Sequence, residues 1–371
     1  MEYRYFPAIL PTLCGSPRDK APTCQLDERC CELWGEDYYP YALLSYAHWG
    51  AAKKHHHAFA TDAFLVGDSG GYSIMTQGMD IAPEDVIRWQ IRRTRVGFLL
   101  DVPPFAPTLK RRVSIGWENG LRRTAENVRR ALPWYQKALA EGSPFRWWGV
   151  IQGRTAEEIA EWWETISEIY PFVGPGEGWG FSNVGATVEQ TAYIFGQFRD
   201  LGIRNIHALG AGGARGSLTL CLGKLGGFDL VTFDTAWASS AAAIRTVIVP
   251  GVVPHELSDL SERDRDAQHL ATEYLFSCPC PSCVLLRKDY PTSRPSRKAL
   301  DLFRRMHTHN IIALRRATQS AGQEAERDAD RFLREVLPPK KVSKVLRALD
   351  GQEPSAPKNR PRGTSLLDWV R

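Results

Sequence analysis

The stretch Ala63-Phe-Leu-Val-Gly-Asp-Ser-Gly-Gly-Tyr72 decides the fold class, because a short apolar run ends there in an acidic residue and a glycine turn. Further short apolar runs also end next to a polar side chain: 96–100 before Asp101, 147–151 before Gln152 and 230–233 before Asp234. Amphipathic segments follow these runs, as at 83–94 and 155–169. The alternation predicts a parallel sheet of repeated strand–helix units, with strands buried on both faces.

The distribution of these polar residues favours an α/β fold of the (β/α)8 TIM-barrel type over an open, doubly wound sheet. A barrel builds its active site from the C-terminal ends of many strands. An open sheet instead concentrates its polar groups at one switch point. We therefore expect Asp68, Asp101, Gln152 and Asp234 to converge at one mouth of a closed barrel.

We expect three parts along the chain. Residues 1–60 are predicted to be an irregular N-terminal segment packing on the barrel, and 61–336 to be the barrel itself, with a zinc-binding subdomain at 270–315. Residues 337–371 are predicted to be a basic, proline-containing, mobile tail. Helices are expected at 114–139, interrupted at Pro133, and near the C-terminal end at 297–319 and 325–337.

The composition is that of an ordinary folded protein. The chain has 371 residues, of which 43% are hydrophobic and 24% charged, which excludes collagen-like, disordered and disulfide-scaffold classes. No apolar run reaches the ~20 residues of a membrane helix, and the start lacks the pattern of a secretory signal. With eight cysteines in so long a chain, we expect a cytoplasmic protein with a metal site and no membrane anchor. The net charge of +5 is compatible with nucleic acid as a partner.

The cysteine cluster Cys278-Pro-Cys-Pro-Ser-Cys283 predicts a metal site together with a downstream histidine. Three thiolates and one imidazole form a complete tetrahedral set for zinc with no open position, which is typical of a structural site. Both His307 and His309 are candidates for the fourth ligand. On a helix they lie ~200° apart, so only one of them can face the metal. The cluster predicts no role for Cys14, Cys24, Cys30 or Cys31.

The ordered set of motifs resembles the tRNA-guanine transglycosylase superfamily over about residues 60–315. It consists of Asp68-Ser-Gly-Gly, Asp101, Ile151-Gln-Gly153, Leu209-Gly-Ala-Gly212, Phe233-Asp234 and the cysteine cluster with His309-Asn310. The resemblance implies a barrel with a zinc-bearing insertion near its C-terminal end. Because the family's zinc motif ends in a His-Asn pair, it also implies His309 as the fourth ligand. The implied activity is base exchange, in which a guanine leaves a nucleic acid and a 7-deazaguanine replaces it.

The resemblance also implies roles for the carboxylates. Breaking an N-glycosidic bond develops positive charge at C1′, which a carboxylate can attack or stabilise. By resemblance, Asp234 is the nucleophile that forms a covalent glycosyl-enzyme, and Asp68 moves protons on the bases. The implied base-binding residues are Ser69, Gly70, Gly71, Asp101, Gln152, Leu209 and Gly210, with the glycines letting the backbone approach the flat ring. Nucleic-acid contacts are expected from Arg215 in the glycine-rich loop and from Lys340 and Lys341 in the basic tail.

Departures from the tRNA enzymes point to another branch of the superfamily. Tyr72-Ser73 stands where those enzymes usually have Phe-Gln, and Ser240 and Ala243 stand where two phosphate-binding arginines are usual. This combination resembles the DNA-modifying transglycosylases. The resemblance then implies DNA as the polymer, 7-cyano-7-deazaguanine as the incoming base and an ATPase-type protein partner. The alternatives are a transglycosylase that acts on tRNA and a non-catalytic nucleic-acid-binding paralogue, which would tolerate loss of the carboxylates that this chain keeps.

Overall fold

The computed structural model describes residues 1–9, 41–49, 64–107, 112–182, 187–243, 246–251, 253–258, 274–289 and 299–354. Eight parallel strands close into a barrel: β1 (Glu2–Ile9), β2 (Tyr41–Ser45), β3 (Phe64–Asp68), β4 (Val96–Phe98), β7 (Arg146–Ile151), β8 (Trp179–Ser182), β9 (Asn205–Leu209) and β10 (Leu230–Thr235). Around the barrel they follow chain order, and β1 closes the ring between β10 and β2. The predicted (β/α)8 TIM barrel is confirmed.

Two antiparallel hairpins lie outside the barrel, β5 (Phe105–Pro107) with β6 (Arg112–Ser114) and β11 (Thr246–Val249) with β12 (His255–Ser258). The named helices are α1 (Tyr46–Trp49), α2 (Gly71–Gln77), α3 (Pro83–Arg93), α4 (Trp117–Ala140), α5 (Ala156–Ser167), α6 (Val188–Asp200), α7 (Ala214–Leu225), α8 (Trp237–Ala243), α9 (Pro281–Asp289), α10 (Ala299–Val336) and α11 (Pro339–Leu349). Among the described residues, no helix has the length and hydropathy needed to cross a membrane.

The barrel interior is apolar below its C-terminal mouth. Bulky side chains from several strands line a cavity there, among them Phe6, Val66, Phe98 and Trp148. His207 and Thr232 are polar members of this lining, and both are buried. Because successive side chains on a strand alternate between its two faces, Asp234 projects inward like Thr232, two residues before it. The polar groups of the site thus lie above a largely apolar cavity, whose lining also includes Arg4.

The predicted irregular segment 1–60 is wrong where the structure describes it. Residues 2–9 form β1, which pairs with β10 over residues 2–7, and residues 41–45 form β2, which pairs with β1 and β3. Arg4 and Pro7 interrupt the apolar pattern of β1, so the strand depends on pairing with a segment more than 200 residues away rather than on local propensity. Residues 10–40 and 50–60, with Cys14, Cys24, Cys30 and Cys31, lie outside the described residues.

The C-terminal segment also differs from the predicted mobile tail. Residues Pro339–Leu349 form α11, whose Val342, Val345 and Ala348 are buried and which packs against α6. Apolar residues three apart form a buried stripe on this helix, although lysines surround them in the sequence. Residues 355–371 lie outside the described residues.

The predicted helix boundaries change at two further points. Helix α4 continues through Pro133, and α10 has its break at Asp328 rather than at 320–324.

Candidate active site and metal centre

The four polar residues predicted to converge lie at the C-terminal mouth of the barrel. Asp68 ends β3, Asp101 follows β4, Gln152 follows β7, and Asp234 lies near the end of β10. The side-chain amide of Gln152 donates to Oδ2 of Asp101 at 2.8 Å. The carboxylate of Asp68 interacts electrostatically with those of both Asp101 and Asp234. The barrel therefore brings side chains from four separate strands into one cluster.

Two of these carboxyl groups hold their protons more tightly than usual. Burial, aided by the charge of Asp68, raises the pKa of Asp101 to about 7, although the hydrogen bond from Gln152 lowers it. Burial also raises the pKa of Asp68, and the charge of Asp234 raises it further. The hydroxyl of Ser45, which pairs with Asp68 across β2 and β3, donates to that carboxylate and opposes the shift. A carboxyl with a raised pKa can act as a general acid near neutral pH.

Asp234 is held by donors from β9 and from the loop that follows it. Its Oδ1 accepts the backbone N–H of Gly210 at 3.0 Å and lies 3.1 Å from Nε2 of His207. The other ring nitrogen of His207 lies 2.8 Å from the hydroxyl of Thr232. Sequence reasoning missed His207, Thr232 and Ser45. A histidine within the otherwise apolar run 206–209 was the available signal for the first of them.

The glycine turn at the end of β3 is required by the protein itself. Gly70 has a φ of 85°, and a Cβ on Gly71 would lie 2.2 Å from the backbone oxygen of Asp101. We expected these glycines to make room for a flat base. The close approach of the turn to Asp101 is a second reason for glycine at these positions. Ser69 in the same turn is buried.

The remaining predicted contact residues divide into two groups. Leu209 ends β9, Gly210 follows it, and Arg215 lies in the first turn of α7, so all three are near the mouth. Lys340 and Lys341 lie in the first turn of α11, on the outside of the barrel, where that helix packs against α6. The structure thus groups Arg215, but not the two lysines, with the loops of the site.

The Gly71→Ala variant is expected to lose the arrangement around Asp101. The added methyl group would overlap a backbone oxygen, so either the turn or Asp101 must move. We expect the free energy of unfolding to fall by about 1–3 kcal/mol, as measured by urea denaturation. Gly78→Ala is the matched control: Gly78 also lies beside α2 but has open space around its Cα, and its φ of 68° adds strain without a clash. A larger loss in Gly78→Ala than in Gly71→Ala would contradict this reading.

The Asp101→Asn variant is expected to be more stable than the wild type above neutral pH. Because the folded pKa of about 7 lies above the unfolded value, the wild-type free energy of unfolding falls as pH rises through that interval. Removing this ionisation should raise the free energy of unfolding by about 2–4 kcal/mol near pH 8. Near pH 5 the gain should be clearly smaller. Urea denaturation at both pH values measures it, and an equal gain at both would show that Asp101 does not titrate as described.

The predicted metal ligands converge at a second, separate cluster. Cys278, Cys280, Cys283 and His309 are all buried, and their ligand atoms lie within 4.8 Å of one another. The three Sγ atoms are 3.6, 3.4 and 3.3 Å from Nδ1 of His309. A tetrahedral zinc ion with ordinary bond lengths would separate sulfur from nitrogen by about 3.5 Å. The four residues can therefore hold a metal such as zinc, and His309 rather than His307 is the histidine in the cluster.

The surroundings of His309 fix its orientation. Its Nε2 lies 3.0 Å from the backbone oxygen of Ile248, which leaves Nδ1 directed at the thiols. The adjacent Asn310 is fully engaged: its Oδ1 accepts the N–H of Ile248, and its amide donates to the backbone oxygens of Ala238 and Thr246. The His-Asn pair therefore ties α10 to β11 and to α8, the helix that follows Asp234.

No family model matches the chain, and no curated protein matches its sequence. The transglycosylase resemblance therefore stays a prediction from the sequence motifs.

Proposed function

We propose that this protein is a transglycosylase that exchanges guanine in DNA for a 7-deazaguanine base, 7-cyano-7-deazaguanine, through a covalent intermediate on Asp234. The observation that carries the proposal is the convergence of Asp68, Asp101, Gln152 and Asp234 at one mouth of the barrel. A site for base exchange needs a nucleophile, a proton carrier and a group that reads the base. These four residues supply all three.

In the first half of the exchange, an oxygen of Asp234 attacks C1′ of the flipped-out nucleotide. The C1′–N9 bond breaks, its electron pair goes to guanine, and Asp68 gives the departing base a proton. The raised pKa of Asp68 supports this role, because the group still carries a proton where an ordinary carboxyl has lost it. Asp234 ends this half as a glycosyl ester.

In the second half, the ionised Asp68 accepts the N9 proton of the incoming base. The nitrogen attacks C1′, and the bond between C1′ and Asp234 breaks and returns its electron pair to the carboxylate. Asp68 and Asp234 end as they began, so the exchange needs no further reactant. When bound at the cysteine cluster, zinc supplies structural support and no chemistry in these steps.

The proposal assigns the reading of the base to Asp101 and Gln152. An ionised Asp101 accepts hydrogen bonds from the ring N–H and the exocyclic amine of a guanine-like base, whereas its protonated form cannot accept both. Gln152, which donates to Asp101, holds that carboxylate in position. Leu209, half-buried at the end of β9, offers an apolar contact for the ring. Gly210 binds Asp234 through its N–H, so its place in the site is to hold the nucleophile.

DNA is favoured over tRNA by the helix that follows Asp234. Ser240 lies on α8 where a tRNA enzyme usually has an arginine, and its hydroxyl donates to the backbone of its own helix. This position therefore offers no positive charge to an RNA phosphate. Arg215 is proposed to contact the polymer at the mouth, and Lys340 and Lys341 to add non-specific attraction at a distance.

The experiment presents the protein with single-stranded DNA, duplex DNA and tRNA, each containing radiolabelled guanine, and adds 7-cyano-7-deazaguanine. Release of label from DNA supports the proposal. Release from single-stranded DNA alone supports the need for an ATPase-type partner that opens the duplex. Release from tRNA alone would make the protein a tRNA-guanine transglycosylase, and no release from any polymer would favour the non-catalytic paralogue.

A further inference from the structure

His207 is an enclosed histidine at the centre of the barrel. Its side chain is 1% exposed, and its ring packs against Phe98 and Phe6, with centroid distances of 4.6 and 6.2 Å. Burying so polar a ring among aromatic side chains is unfavourable unless both nitrogens find partners. The hydrogen-bond partners of its two ring nitrogens therefore explain its position.

A chain of hydrogen bonds passes through this ring. Nε2 lies 3.1 Å from Oδ1 of Asp234, Nδ1 lies 2.8 Å from the hydroxyl of Thr232, and that hydroxyl lies 3.2 Å from the backbone oxygen of Ile206. An ionised carboxylate can only accept, so Nε2 donates to Asp234. In a neutral ring whose Nε2 donates, Nδ1 is an acceptor, and the single proton of the Thr232 hydroxyl is directed to it. Thr232 pairs with His207 across β9 and β10, so the strand register determines that these two side chains lie next to each other.

The two donors to Asp234 act on the same oxygen. His207 and the N–H of Gly210 both bind Oδ1, so Oδ2 is the oxygen left to attack the sugar. In the glycosyl ester, Oδ1 becomes the carbonyl oxygen. When the ester bond breaks, the carboxylate re-forms and Oδ1 shares its negative charge. Both donors already point at Oδ1 in a site of low dielectric, so they stabilise that charge.

We propose that His207, held by Thr232, is a positioning residue that binds Oδ1 of Asp234 and speeds discharge of the glycosyl-enzyme more than its formation. This inference rests on the proposed role of Asp234 as the nucleophile. A donor to Oδ1 binds the free carboxylate more strongly than the less charged ester, so it favours the step that releases the carboxylate over the step that consumes it. Loss of the donor should therefore cause the covalent adduct to accumulate, a result that a merely structural defect would not produce.

Two amide variants separate the ends of the ring. In His207→Gln the amide nitrogen takes the place of Nε2 and can still donate to Asp234, whereas in His207→Asn it takes the place of Nδ1 and reaches only towards Thr232. Preformed adduct on single-stranded DNA is mixed with free guanine, and the rate of its disappearance is followed on denaturing gels. We expect His207→Asn to slow discharge about 10- to 100-fold and to accumulate adduct. His207→Gln should retain most of the wild-type rate.

Equal discharge rates in the two amide variants would overturn the inference. If His207→Asn does not fold, as judged by its thermal midpoint, a pair of variants at Thr232 tests the inference instead. Thr232→Val should then slow discharge relative to Thr232→Ser, and equal rates for that pair would overturn the inference as well. Failure of the proposed function gives a different result. In that case the wild type forms no adduct, or the Asp234→Asn variant still forms one.

Discussion

The Asp234→Asn variant is expected to form no covalent adduct with nucleic acid and to lose base exchange by about 10⁴-fold or more. The amide oxygen can still accept the N–H of Gly210, so the local hydrogen bonding survives in part. A neutral amide, however, cannot serve as the nucleophile or balance the charge that develops at C1′. Adduct formation is measured on denaturing gels and exchange by release of labelled guanine.

The matched control is Asp200→Asn, the same substitution at an exposed residue that forms an ion pair with the neighbouring Arg199. Both variants should unfold at similar temperatures, and only the first should lose the adduct. An adduct of undiminished yield in Asp234→Asn would remove Asp234 from the proposed mechanism. Loss of adduct in both variants would point instead to a general defect of the preparation.

The Cys283→Ser variant is expected to bind no metal at the four-residue cluster and to unfold at a temperature about 10 °C or more below that of the wild type. A serine hydroxyl is a poor zinc ligand, so three buried polar groups would remain without the ion that unites them. The change should extend beyond the cluster, because Asn310 joins α10, the helix that carries His309, to the backbone of α8 and β11. Metal content by atomic spectroscopy, the thermal midpoint and base exchange are measured on the same sample.

Cys221→Ser is the matched control for the metal prediction. Cys221 is also buried, but it lies away from the cluster and donates to the backbone oxygen of Ala329, a contact that serine can keep. This variant should retain the metal and most of the thermal stability. A metal content unchanged in Cys283→Ser, or equal destabilisation of both variants, would argue against a structural metal at the four-residue cluster.

The carboxylates of the site could be found in the sequence because a strand end is a local signal. An apolar run followed by Asp68, Asp101, Gln152 or Asp234 places a polar group where a parallel strand stops, and a barrel gathers such ends at one mouth. The cysteine cluster is equally local, since three ligands lie within six residues. The fourth ligand was less certain, because two histidines compete and only packing decides which one faces the thiols.

The contacts that orient the site could not be found in the same way. His207 reaches Thr232 and Asp234 across two strands, and Ser45 reaches Asp68 across two others, so each contact depends on strand register. Register is set when the barrel closes, and no property of either segment alone specifies it. The elevated pKa of Asp101 has the same origin, because it arises from burial and from a neighbour 33 positions earlier in the chain.

The amino-acid sequence by itself determined the alternation of strands and helices, the polar groups that end the strands and the cysteine cluster. Each of these features depends on a few neighbouring residues. Only the tertiary structure decided that β1 and β2 complete the barrel, that α11 packs against it, and that Asp234 is held by His207 and Gly210. These features bring together segments far apart in the chain, and their stability comes from pairing and burial that exist only once the barrel has formed.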